Sequence, residues 1–198
     1  VEASMLDNLV ERLKSAKCSD RSELGIILKT APVLKALKPS SMFFATTKEL
    51  EYISENMKKA GLDFVILYER SDKNLIFVYR SLALGEHLFA DDTYSYLKSC
   101  NYRGSEFSDF LPRLRERLKA YYEKRDIFPH EVGVFLGYPL CDIQGFIKYQ
   151  GDAYLFSGYW KIYDNLNQTL LKFADFDRAK EEAVDEWFAG KKLYEIAC

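Results

Sequence analysis

Eight side chains in two distant segments carry the polar chemistry of this chain: Lys38 and Ser40, then His130, Glu131, Tyr138, Asp142, Tyr159 and Lys161. His130-Glu131 sets an imidazole beside a carboxylate, the pairing that general acid–base chemistry uses. Neighbouring residues of a strand point to opposite faces. The two can cooperate only if His130 lies in the loop after Pro129; otherwise His130 hydrogen-bonds a turn there. Lys161 stands between Tyr159 and Tyr163. It is either an amine whose pKa falls on desolvation or one whose stem lies along the rings with its ammonium in water. Pro139 suits the first position of a helix, and a helix start attracts anions through its free N–H groups. Asp142, in that first turn, works against an anion and favours the helix itself. Tyr138 sits at the same edge.

Lys38-Pro39-Ser40 has the turn chemistry of a loop rather than core periodicity. Proline fixes the backbone there, which would hold an amine and a hydroxyl at one edge of a sheet. We expect this turn to converge with the 128–163 segment, bringing Lys38 or Ser40 near His130 or Tyr159. The alternative is that both segments merely punctuate helix and strand boundaries.

Several chemistries lack their pattern. Two distant histidines and four widely spaced cysteines give no metal-ligand spacing, so no metal site is expected. There is no Gly-rich phosphate fingerprint and no nucleophile elbow. No cofactor is indicated, and whether the protein is an enzyme stays open.

The elements that must position these residues follow from periodicity. Apolar residues at helical spacing predict a first helix over 4–16, a second over 22–29 ending near Pro32, and a short strand over 41–45. Thr46-x-x-Glu49 is a capping box opening a helix that Gly61 closes. The continuous apolar runs 64–68 and 75–79 flank a polar turn and predict a hairpin covered on both faces. Residues 81–100 read as two short helices broken near Asp91. A long helix follows over 105–124, with Leu111, Leu114, Leu118 and Tyr121 inward. Its Arg113, Arg115, Arg117 and Lys119 are interrupted by Glu116 and Glu123, as on a solvated face rather than a nucleic-acid surface.

Residues 132–136 then read as a strand, 139–149 as a helix and 153–163 as a second strand. This makes a βαβ unit with parallel strands, whose carboxyl edge is a natural ligand site. In it Tyr154, Phe156, Trp160 and Ile162 share one face. Gly133, Gly137 and Gly145 mark close approach of a helix or a ligand. Residues 166–188 are helical, and Gly190 is a plausible stop. The fold class expected is α/β: one domain over 1–198, with a mixed sheet of about five strands and helices on both faces.

The totals set outer bounds. The 198 residues suffice for one sizeable core. A net charge of −2 gives no global field for nucleic acid or an anionic membrane. No apolar run approaches the ~20 residues that span a bilayer. Scattered cysteines without export signals suit reduced thiols in the cytoplasm.

The central motif resembles a bacterial domain family of unknown function numbered 3793. The resemblance rests on Phe-Pro-His-Glu-x-Gly-x-Phe-Leu-Gly-Tyr-Pro over 128–139, Asp142, Gly145-Phe146-Ile147 and Gly158-Tyr159-Trp160-Lys161-x-Tyr163. Ala31-Pro32-x-Leu34 and Leu37-Lys38-Pro39-Ser40 supply a second block, so it covers most of residues 24–190. It implies no reaction, substrate or cofactor. It does imply cysteine at two positions where this chain has Thr30 and Ser157, which argues against a thiol-based metal or redox role. The functional expectation is therefore a cytoplasmic protein binding a small molecule or anion at the 128–163 surface. The alternative is a non-catalytic interaction or regulatory protein that meets a partner through an exposed aromatic patch.

Overall fold

A computed structural model describes residues 18–197. The helix expected over 4–16 lies outside the described residues. The first helix, α1 (Cys18–Leu34), carries Pro32 in its last turn and continues two residues past it. A proline this late removes one helical hydrogen bond and leaves few turns to distort. The Pro32 carbonyl then accepts from the Leu37 and Lys38 amides, which closes the turn leading into β1 (Ser40–Thr46).

Thr46 caps α2 (Thr47–Lys59) through a complete capping box with Glu49. Gly61, at φ +68°, ends that helix, with Leu62 N–H bonded to the Met57 carbonyl. This is the left-handed stop that a residue without Cβ accommodates best. β2 (Asp63–Arg70) and β3 (Lys73–Tyr79) form the expected hairpin. β3 also pairs antiparallel with β1, so the order is β1-β3-β2.

Both faces of β3 are covered. Ile76 and Val78 pack toward α1, α2 and the C-terminal helices, among Ile26, Leu34, Ile53, Met57 and Ala183. Leu75 and Phe77 pack on the other side, among Leu84, Leu88, Phe110, Leu114 and Phe135. These last come from α3 (Ser81–Leu88), α5 (Phe107–Tyr122) and a short α6 (Val132–Phe135), with α4 (Asp91–Ser99) between them in the chain. Each such side chain contributes about 1.5–3 kcal/mol on burial. Within α5, Leu114 and Leu118 are buried as read. Tyr121 is exposed, and Tyr122 packs instead, stacked on Tyr68.

The expected single mixed sheet of about five strands is not formed. The described residues hold a three-stranded antiparallel sheet and a separate two-stranded ribbon. Residues 132–135 form α6, not a strand, and the described residues contain no βαβ unit. A short apolar run cannot be assigned by periodicity alone, but both of its ends carry helix signals. Pro129 opens a turn whose carbonyl accepts from Val132 N–H, and Gly137, at φ +75°, closes it. Tyr138 N–H bonds to Gly133 O and Gly137 N–H to Val134 O, the paired bonds of a helix stop.

The crossover helix does form, as α7 (Leu140–Lys148) with Pro139 at its N-cap. It leads into the ribbon β4 (Phe156–Ser157) and β5 (Lys161–Ile162), antiparallel around Gly158-Tyr159-Trp160. The alternation read over 153–163 survives only in part. Trp160 and Ile162 are buried, but Tyr154 and Phe156 are exposed. The long α8 (Leu166–Phe188) then packs along α1, and α9 (Leu193–Ile196) closes the first core.

Candidate functional site

Asp142 organises the region. It lies in the first turn of α7 and is 2% exposed. One carboxylate oxygen accepts from Trp160 Nε1 at 2.7 Å; the other accepts from the Tyr163 and Asp164 amides at 2.7 and 3.2 Å. A buried carboxylate is tolerable when donors and a helix N-terminus meet its charge. Here that arrangement ties the ribbon to α7. Gly145, one turn along, lets Tyr163 lie against the helix where a Cβ would collide. Gly158 does the same for Phe173 of α8.

Trp160 is thereby held with its ring stacked on Tyr138 at 4.7 Å and edge-on to Phe173 at 4.6 Å. Burial pushes the Tyr138 hydroxyl pKa up. Tyr159 turns the other way, donating to Asp177 Oδ1 at 2.7 Å, with Lys180 over its ring at 4.2 Å. Lys161 donates to Gly151 O at 2.6 Å and lies over Tyr154 at 4.5 Å and Phe146 at 5.8 Å. The rings that its ammonium meets are Tyr154 and Phe146, not the flanking Tyr159 and Tyr163 on which both readings of this lysine rest.

A cavity of about 520 Å³ opens between α6, α7 and the ribbon. That size suits a small organic ligand. Five of the eight sequence-derived residues line it: His130, Tyr138, Asp142, Tyr159 and Lys161. His130 packs between Phe128 at 5.6 Å and Phe146 at 5.1 Å. Desolvation lowers its pKa; Glu131 opposes that shift and Arg117 adds to it.

The other three residues stand outside the lining. Glu131 is 4% exposed and faces α5, accepting from Arg117 Nε at 3.0 Å and Tyr102 Oη at 3.4 Å. His130 and Glu131 therefore diverge. The carboxylate anchors α6 to the second core and is not poised beside the imidazole as a partner in proton transfer.

Ser40 is fully buried and donates to the Phe135 carbonyl at 2.5 Å. Lys38 lies over Tyr138 at 5.3 Å and Phe176 at 5.8 Å. Burial, and secondarily the charge of Lys180, lowers its pKa to about 8. Pro39 abuts Gly137, where an added Cβ would come within 2.7 Å of its ring. The 38–40 turn and the 128–163 segment thus meet in space. The turn braces the back of the Tyr138 wall without entering the cavity.

The sequence reading passed over Phe128, Phe146, Trp160, Ser157 and Met42 as lining residues. A signal existed for Phe146, since Asp142, Ile143 and Phe146 fall on one face of a helix. Met42 comes from an edge strand and carried none. Among the described residues, no three His, Cys, Asp or Glu side chains gather as a metal site. No described helix is long and apolar enough to cross a membrane.

The chain matches, over residues 26–197, the family described as "Protein of unknown function (DUF3793)". No curated protein and no solved structure matches it.

Proposed function

The chain belongs to the DUF3793 family of proteins of unknown function, and we propose that it binds a small molecule in the cavity between α6, α7 and the 156–162 ribbon. The observation that carries this reading is convergence. Five polar or ionisable residues singled out by type line one concave space with apolar and aromatic walls, and such a combination is the usual form of a ligand site. The proposal takes the protein as cytoplasmic, supported by Cys100 and Cys141, which stand unpaired. It assigns no catalytic step, because the Glu131 carboxylate is engaged by Arg117 and Tyr102.

Native mass spectrometry of protein purified from its own host tests the reading. A retained mass is expected in the native spectrum, and its loss in Ser157→Trp, which sets an indole at an exposed lining position. Retention of the same mass by that variant would overturn the assignment to this cavity.

A second reading rests on a different surface. Ile147, Tyr149, Tyr154, Leu155 and Phe156 are all exposed within ten residues, and an exposed apolar patch can mark a protein contact. Tyr154→Ser with Phe156→Ser would abolish such a contact and leave a cavity-bound mass in place. The two readings are therefore separable in one set of samples.

A further inference from the structure

Resting on the cavity reading above, we infer that the ligand class is an aromatic monoanion: a flat apolar body carrying one carboxylate or comparable anionic oxygen group. The inference comes from which polar groups in the wall are already engaged. Asp142 is the carboxylate of the described lining, and both its oxygens accept hydrogen bonds from the protein. It has little left to offer a cationic ligand. Trp160 N–H is consumed by Asp142, and Tyr159 O–H is directed to Asp177.

What remains is one cation and three neutral groups. Lys161 carries three N–H groups, and one of them is directed to Gly151 O. No carboxylate of the described residues lies within ion-pair distance of its ammonium. Tyr138 and Ser157 also line the space, and their hydroxyls, which can donate or accept, make no hydrogen bond to another described residue. His130, its pKa lowered, is neutral near pH 7 and supplies one ring N–H and one acceptor nitrogen.

The hydroxyls and the neutral imidazole offer both donors and acceptors, so the sign of the remaining demand is set by Lys161, whose ammonium has no carboxylate within ion-pair distance among the described residues. An anionic oxygen group meets that demand, and charge-assisted hydrogen bonds are the stronger kind. The body of the ligand is set by the rest of the wall. Phe128, Phe146, Tyr138 and Trp160 present aromatic surface with Val132 and Ile143 between them, and flat rings pack on such surfaces by offset or edge contacts.

The probes are 2-naphthoate and 2-naphthamide, which share a shape and differ by one charge. Their binding to the full chain is measured by calorimetry at neutral pH. The naphthoate is expected to bind about tenfold more tightly than the amide, as one charge-assisted contact allows. In Lys161→Met the naphthoate loses its advantage over the amide. Equal binding of the two probes by the wild-type chain overturns the anion inference and leaves the cavity reading intact. Binding of neither overturns the aromatic-anion class, and the retained mass in native spectra then decides the cavity reading separately. The wild-type comparison needs no variant, so a poorly folded Lys161→Met leaves the test decisive.

Discussion

The β3 sheet and the α7–ribbon region are held together by different means. β3 is centred by backbone pairing on both edges and buries alternate side chains in two cores. The ribbon has two paired residues on each strand. Its position comes instead from one buried carboxylate, two glycines that permit close contact, and a stacked Tyr138–Trp160 pair. The first region is distributed and apolar, so its stability is a sum of many small terms. The second is concentrated in a few polar contacts, and these can be removed singly.

The largest expected effect breaks the first region. Phe77→Ala removes a ring that is 1% exposed at the centre of the sheet. It should cost about 3–5 kcal/mol, lowering the urea midpoint at an unchanged slope. Next is Asp142→Ala, which leaves the Trp160 and Tyr163 N–H donors without their acceptor and should cost about 2–3 kcal/mol. Here the comparison becomes specific. Amide protons at 160–164 should exchange faster and Trp160 emission should shift to the red, while β3 amides keep their protection relative to global unfolding. Uniform acceleration of both sets would show that the two regions unfold as one.

A smaller effect is expected where the turn braces the site. Gly137→Ala forces a Cβ toward Pro39 and into φ +75°. A left-handed conformation alone costs about 1–2 kcal/mol. Double substitution of Gly137 to Ala and Pro39 to Ala separates strain from collision, since relieving the contact should restore only part of the loss.

The same contrast explains what was legible. The hairpin, the capping box at Thr46 and the stop at Gly61 are local: a few adjacent residues specify them, and the structure shows all three. The meeting of the 38–40 turn with the 128–163 segment was expected from turn chemistry, but with His130 or Tyr159 as its partners, whereas Ser40 meets the Phe135 carbonyl and Lys38 the Tyr138 ring. The 132–136 segment was misread because Val-Gly-Val-Phe-Leu is apolar throughout. Only Pro129 and Gly137, outside the run, decide between helix and strand. Asp142 could be placed in the first turn of a helix. That its oxygens reach Trp160 and Tyr163, 18 and 21 residues away, depends on tertiary packing and leaves no periodic trace. Glu131 shows the same limit. Its partner, Arg117, lies on a helix whose charges otherwise read as a solvated face.

The last effect is a pH dependence, and its sign is fixed by Lys38. Its folded pKa is about 8 against an ordinary value of 10.5. Below pH 8 the amine is charged in both folded and unfolded chains, and holding that charge against Tyr138 and Phe176 near Lys180 works against folding. Between about pH 8 and 10.5 the unfolded chain binds more protons at this site than the folded chain. Stability from this residue therefore rises with pH across that window. Lys38→Met keeps an unbranched stem against the rings and removes the charge. The variant should be more stable than the wild type at pH 7, with the gap between their urea midpoints closing as pH rises toward 10.5. A gap independent of pH would assign the difference to packing. A variant less stable at pH 7 would mean that the cation–π contacts outweigh the desolvation, which would place the turn among the polar anchors of the site rather than among its costs.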